Sequence, residues 1–391
     1  MRVRTTLCMP TPNETITTDS PVSFIASDTG KGLLEGIALC LSGGGYRAML
    51  FHLGSLWRLN EAGLLLKLER ISSVSGGSII AGVLGMNWSK LDFNTDGVGQ
   101  QFVQQVVSPI RALASRTIDE GAILSGILTP GTISDKVVKA YRTHLYGAAT
   151  LQALPVRPRF VINATNVQSG VLWRFMRPYM RDYLVGEVKS PTTELAVAVA
   201  ASSAFPPVLS PLKLELKETD FTPGNEPLHR APYTTDVLLT DGGVYDNLGL
   251  ETAWKRYKTI LVSDGGGKME AEPEPKTDWA RHALRINDLI DNQVRSLRKR
   301  QVIDSFKNQS RRGTYWGIRT DIANYHIADT LPCPHDKTME LARLRTRLKR
   351  IEDNIQERLI NWGYAVCDAA LRKHFDLTLK KGSFPFAGGV G

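Results

Sequence analysis

Along the first quarter of the chain the hydrophobic period changes abruptly, twice, across a cluster of glycines. "EGIALCLS" at 35–42 is a short apolar run with β propensity. In "GGGYRAMLFHLGSLWRL" at 43–59, Met49, Leu50, Leu53, Leu56 and Trp57 recur at steps of three and four, as a half-buried helix requires. The pattern predicts a strand, a glycine turn and a helix. It then repeats: "LERISSV" at 68–74 reads as a strand, "SGGS" as a turn and "IIAGVLGM" at 79–86 as a compact apolar helix. Further on, "RPRFVINAT", "VLWRFM", "DVLLTDGG" and "KTILVSDGGG" read as strands, and "TELAVAVAASSA" as a helix stopped by Pro206 and Pro207. Strands alternating with helices predict an α/β layer fold with a largely parallel sheet. Ligands of such sheets collect at the carboxyl ends of strands, and the glycine, serine and aspartate clusters stand at those ends.

The flanks have a different texture. Residues 1–33, rich in Thr, Ser and Pro, predict a flexible N-terminal segment ahead of an α/β unit spanning 34–270. Within that unit, 210–235 reads as a surface loop or small hairpin. Beyond 270 come two long helical patterns, 278–308 and 339–375, the second striped by Leu341, Leu344, Leu348, Ile351, Ile355 and Leu359. Residues 271–391 are therefore expected to be a basic helical region packing on the α/β unit.

Composition narrows the class. Of 391 residues, 42% are hydrophobic and 22% charged, which suits a folded globular protein and neither a fibrous nor a disordered one. Cys8, Cys40, Cys333 and Cys367 are scattered without a CxxC pair, which argues against a zinc site or a disulfide framework and fits a reducing compartment. With no apolar leader and no long uninterrupted apolar run, the expectation is a cytoplasmic protein that does not span a membrane. Net charge is +9, and residues 271–350 hold 17 basic against 10 acidic side chains. Such a patch suits a membrane surface, a nucleic acid or simply a solvated helix face.

Candidate chemistry begins at Ser75. At a nucleophile elbow the residues two before and two after the serine must be small, and here they are Ser73 and Gly77. Ser72, Ser73 and Ser78 are competing serines, and the stretch also reads as a plain Gly/Ser turn. Gly43, Gly44 and Gly45 offer backbone donors for an oxyanion, and Arg47 a fork suited to phosphate. Neither the Walker loop nor the dinucleotide fingerprint is met. None of the seven histidines lies at a strand end beside a glycine turn, so a carboxylate is the candidate base: Asp241 in "TDGG" or Asp264 in "SDGGG". Either aspartate also suits a capping role.

Taken in order, GGGYR at 43–47, SVSGG at 73–77, "ATNVQSGVLWRF" at 164–175, "AVAASSAFPPVLSP" at 198–211 and DGG at 241–243 resemble the patatin-like phospholipases. The member resembled is of the bacterial type, with a glycine loop similar to that of group IV cytosolic phospholipases. The resemblance implies a three-layer fold, a mostly parallel central sheet with helices on both faces, plus long C-terminal helices. It implies Ser75 as nucleophile and Asp241 as its base in a Ser-Asp dyad, with Gly43, Gly44 and Gly45 as the oxyanion region. Arg47 would bind phosphate, Ser73 and Gly77 would support the elbow, and Gly242, Gly243 and Asn247 the aspartate loop, leaving Asp264 structural. Two departures stand out: Ala48 follows Arg47 where many patatins have glycine, and Ser73 replaces the elbow glycine.

The implied function is a serine acyl hydrolase of the phospholipase A or lysophospholipase type, working through an acyl-enzyme with no metal or cofactor. Its partner would be a phospholipid or lysophospholipid substrate, with peripheral membrane contact through the basic C-terminal helices and no nucleic acid. The alternatives are a signal-activated lipid-degrading effector or lipid-binding module with a closed site, and an esterase or thioesterase on other acyl substrates.

Overall fold

The computed structural model describes residues 32–118, 133–207 and 209–391. Residues 1–31, nearly all of the expected flexible segment, lie outside the described residues, as does Cys8. The elements that frame the site begin with β1 (Leu34–Leu41), α1 (Gly45–Glu61), β2 (Leu68–Val74) and α2 (Gly76–Met86). Then come α3 (Ser108–Ala114), α4 (Ile133–Tyr141), β3 (Arg159–Asn166), β4 (Leu172–Phe175), β5 (Tyr179–Asp182) and β6 (Gly186–Lys189). They are followed by α5 (Leu195–Ser202), β7 (Leu212–Glu215), β8 (Asp236–Asp241) and β9 (Tyr257–Asp264). The long α6 (Trp279–Lys307), β10 (Arg312–Gly317), α7 (His335–Ala342) and α8 (Asp353–His374) complete the series.

The ten strands among the described residues form one sheet. Its centre, β10-β9-β1-β2-β3, is parallel throughout. β4, β5 and β6 extend it antiparallel beyond β3, while β8 also pairs antiparallel with β3 and carries β7 as a hairpin partner. The 210–235 stretch thus contributes a short edge strand to that hairpin.

The run at 35–41 lacks a polar face because β1 is covered on both sides. Leu39 and Leu41 enter a large core with α1, α2 and α8, whereas Ala38 and Cys40 enter a smaller one with Leu248, Tyr257, Ile260 and Val302. This is the expected α/β fold with helices on both faces. Register then does the functional work, since Leu41 at the end of β1 stands beside Ser73 of β2 and Ser263 of β9. Both glycine turns and the loop after Asp264 leave the sheet side by side.

The single helix predicted over 339–375 is instead two, α7 and α8, separated by an irregular linker at 343–352. Its carbonyls are taken by distant donors: Leu344 O by the Arg47 guanidinium, Arg347 O by the Tyr46 amide at 3.0 Å and Leu348 O by the Ile118 amide at 2.8 Å. Backbone groups claimed from outside cannot close helical turns. α8 packs along α1, where the buried Arg58 and Asp368 meet at 2.7 Å. Among the described residues no helix is long and apolar enough to cross a membrane.

Candidate active site

Ser75 stands at the corner between β2 and α2 with φ 53° and ψ −120°. Positive φ is uncommon for a residue with a side chain, and such strain persists only where the surroundings enforce it. They do so here through three anchors. The Ser75 amide donates to Ser202 Oγ at 3.0 Å, Ser202 donates to Asn163 O at 2.6 Å, and the Gly77 amide donates to Ser42 O at 3.1 Å. Ser73 and Ser78 are occupied below the corner, Ser78 donating to Ser73 Oγ at 3.0 Å and Ser73 to Val161 O at 3.2 Å. Of the four serines, Ser75 alone lines the adjoining cavity.

Asp241 ends β8 directly opposite Ala164, and Val74 pairs with the preceding residue, Asn163, along the same edge of β3, the other edge being taken by β4 at both positions. One strand therefore brings the serine corner and the aspartate together from positions far apart in sequence. Asp241 is 2% exposed; its Oδ1 accepts from the Gly243 amide at 2.7 Å, and Oδ2 is buried without a hydrogen-bond partner. Burial raises its carboxyl to about 7, opposed by the Gly243 amide and by the Ser75 hydroxyl beside it. A buried carboxylate oxygen with a free lone pair next to a serine hydroxyl can accept that hydroxyl's proton.

The glycine turn fills the third side. Gly44 and Gly45 have φ of 143° and 59°, values that cost a side-chain-bearing residue, and a Cβ on Gly45 would come within 2.9 Å of Arg347 N. Gly43 donates its amide to Asn247 O at 3.0 Å, so that donor is spent and Asn247 ties the first turn to the aspartate loop. A Cβ on Gly243 would likewise run into Asn247 Oδ1, at 2.6 Å. Among the described residues no acceptor meets the amides of Gly44, Gly45 and Gly76. Gly76 went unread as a donor, although the residue after an elbow nucleophile is its usual source. Gly242 docks beside Val74 and the Asn163 carbonyl, closing the aspartate loop against the elbow strand.

Arg47 is 3% exposed and points away from open solvent. Its Nε donates to Gly265 O at 3.2 Å, Nη2 to Thr346 Oγ1 at 3.1 Å, and Nη1 to Leu344 O. Burial, together with Arg295 and Arg319, lowers it to about 10, so it remains a cation at neutral pH.

Asp264 has a different setting. It accepts from the Tyr315 hydroxyl at 2.7 Å and the Gly266 amide at 2.9 Å, and pairs with Lys299 of α6. Although burial opposes its charge, Lys299 and Arg295 hold its carboxyl well below the ordinary range. A depressed carboxyl contributes stability that is full above the unfolded value near 3.8 and is lost as pH falls below it. Asp264→Asn is accordingly expected to keep most turnover yet to flatten the loss of stability as pH falls below about 4, read by thermal melts from about pH 5 downward. His52 is likewise structural: it is buried between Ser263 Oγ at 2.8 Å and Ser42 O at 2.9 Å, and burial lowers it to about 4.

The adjoining cavity measures about 260 Å³. One wall is Phe205, Pro206, Pro207 and Leu209, the segment after α5; the other is Thr346, Arg347 and Leu348 of the α7–α8 linker. The arrangement offers a hydroxyl, a buried base, free amides and an apolar slot, the parts needed for acyl transfer. The linker wall was hidden in the sequence because Leu344, Leu348 and Ile351 carry the apolar stripe of the flanking helices straight through it.

The family described as patatin-like phospholipase matches residues 39–254, more than half of the chain. No curated protein matches it in sequence. Among solved structures it is similar to human GIVD cytosolic phospholipase A2, with 12% identity, a TM-score of 0.51 and coverage of 85% of this chain and 58% of that one. It also aligns with VipD from Legionella pneumophila at 16% identity, a TM-score of 0.34 and coverage of 87% and 67%. The chain thus spans under two thirds of the human protein's length. The family match over strands, elbow and aspartate loop places this chain in the patatin-like phospholipase family.

Proposed function

We propose that this protein is a serine acyl hydrolase that releases fatty acids from glycerophospholipids. Ser75 attacks the ester carbonyl as Asp241 accepts its proton, and the tetrahedral oxyanion is held by the amides of Gly44, Gly45 and Gly76. Collapse expels the lysophospholipid alcohol, which takes the proton back from Asp241 and leaves an acyl-enzyme. Water, deprotonated by the same carboxylate, then releases the acid. The observation that carries this reading is the strained Ser75 corner facing a buried carboxylate whose Oδ2 has no other partner.

The lipid surface is proposed to meet α6. Trp279, Ile286, Ile290, Val294 and Leu297 recur at three-, four- and seven-residue steps and are exposed, Trp279 by 85% and Leu297 by 56%. The opposite side of α6 is fixed to the sheet edge through Lys299 to Asp264 and Arg298 to Glu251. An apolar stripe on a helix that carries seven basic against three acidic side chains suits an anionic lipid interface. Fatty-acid release from phosphatidylcholine vesicles tests the function. The wild type is expected to turn over, faster when anionic lipid is added at low salt, and Ser75→Ala to be inactive; equal release by Ser75→Ala would overturn the reading.

A further inference from the structure

The α7–α8 linker joins the pocket wall to the glycine turn through one buried side chain. Arg47 holds its near end by two donors, to Leu344 O and to Thr346 Oγ1 at 3.1 Å, while its third donor fixes Gly265 O at 3.2 Å. The adjacent Tyr46 amide takes Arg347 O at 3.0 Å, and Gly45 leaves room for that carbonyl to lie directly on the turn. The far end is tied to the segment after α3: Ile118 N to Leu348 O at 2.8 Å, Arg350 N to Thr117 Oγ1 at 3.1 Å and Ile351 N to Ala114 O at 2.9 Å. Between these anchors, Thr346 to Leu348 face Ser75 across the cavity from Phe205 to Leu209.

We propose that Arg47 is a positioning residue that fixes the Thr346–Leu348 wall against the oxyanion glycines, and that this linker wall sets which acyl chains reach Ser75. The inference rests on the acyl-hydrolase reading for its substrate and on the hydrogen bonds alone for its anchoring. A guanidinium is suited to the task because its planar fork serves three acceptors on two segments at once, whereas an ammonium is a point charge on a flexible stem. Each nitrogen of the fork donates to a protein acceptor and the side chain is 3% exposed, so Arg47 is placed to act through the wall and not on the substrate phosphate.

Two readouts test the two halves separately. In Arg47→Lys, amide hydrogen exchange of the 343–351 peptide is expected to quicken by about tenfold or more, with the sheet strands unchanged. Thr346→Val, which removes only the Nη2 acceptor, gives a smaller shift in the same peptide and serves if the lysine variant fails to fold. For selectivity, the ratio of kcat/KM on dodecanoyl over butanoyl p-nitrophenyl esters is expected to fall by about tenfold in both Arg47→Lys and Leu348→Trp. Unchanged exchange in Arg47→Lys and Thr346→Val would overturn the anchoring. An unchanged chain-length ratio in Leu348→Trp would overturn the wall. Selective loss of phospholipid against phosphate-free esters of equal chain length in Arg47→Lys, with exchange unchanged, would replace positioning by phosphate pairing. If the wild type cleaves no ester and takes no label at Ser75, the hydrolase reading and the selectivity claim fail together, while exchange still decides the anchoring.

Discussion

Asp241→Asn is expected to lower kcat/KM for ester hydrolysis by about a thousandfold or more while the protein stays folded. A positioned base contributes about 10²–10⁴-fold, and here no histidine stands by to share the work. The amide keeps the shape of the carboxylate and its Gly243 contact but cannot take the Ser75 proton. The same burial that suits Asp241 to the proposed role of base sets its pH dependence. With the carboxyl raised to about 7, wild-type kcat/KM rises as pH passes upward through that value, because only the ionised form accepts a proton. Its effect on stability has the opposite sign. A carboxyl whose folded value lies above its unfolded one binds its proton more tightly in the folded state, so its ionisation erodes stability as pH climbs from about 4 to about 7. Asp241→Asn should therefore be inactive yet melt several degrees higher than the wild type at pH 8 and show little difference at pH 4. An inactive variant with unchanged or lower stability at pH 8 would mean that the carboxylate is not desolvated as described.

Asp368→Ala is expected to cost about 3–5 kcal/mol, the usual penalty for breaking a buried ion pair by removing one partner. Arg58 and Asp368 are 4% and 1% exposed, so the truncation leaves the buried guanidinium with one hydrogen-bond acceptor among the described residues, Lys380 O at 2.6 Å, beside the Tyr364 ring and the Glu61 carboxylate. Asp368 also accepts from Arg372 Nε at 2.9 Å and from the Gly382 amide at 3.1 Å, so one carboxylate organises α1, α8 and the chain beyond it. Urea denaturation followed by circular dichroism reads the loss. Because α1 begins at the glycine turn beside Ser75, the variant should also turn over more slowly at temperatures where it is partly unfolded. A change below about 1 kcal/mol would show that the pair merely breaks even with its desolvation.

How much of this was legible in the sequence varies by element. The units β1-turn-α1 and β2-turn-α2 stood out because period and glycine content change together, and both are where the pattern placed them. Asp241 stood out as an aspartate at a strand end before two glycines. Its local pattern alone does not rank it above Asp264, which has the same one; only the resemblance in motif order does. Tertiary neighbours separate them: Asp264 meets Lys299, Arg295 and Tyr315, whereas Asp241 meets only backbone and a serine hydroxyl. β5 and β6, four residues each, are too short for alternation to register. The linker was misread for a related reason. Leu341 and Leu348 are buried as their stripe demands, but the helix between them is undone by Arg47, Tyr46 and Ile118, each remote in sequence.

The spent amide of Gly43 was equally invisible, since its acceptor, Asn247 O, is about two hundred residues away and arrives only once β8 has paired with β3. Local pattern reveals which residues have the right chemistry. Long-range pairing decides which of them remain free to use it.

The most direct measurement is to treat the purified protein with an alkyl fluorophosphonate and to locate the adduct by peptide mass spectrometry. Phosphonylation requires an activated serine hydroxyl with oxyanion donors beside it. The account predicts a single adduct on Ser75, formed faster as pH rises through about 7 and nearly abolished in Asp241→Asn. An adduct on a different serine, or labelling of Ser75 at equal rates in Asp241→Asn and the wild type, would contradict it.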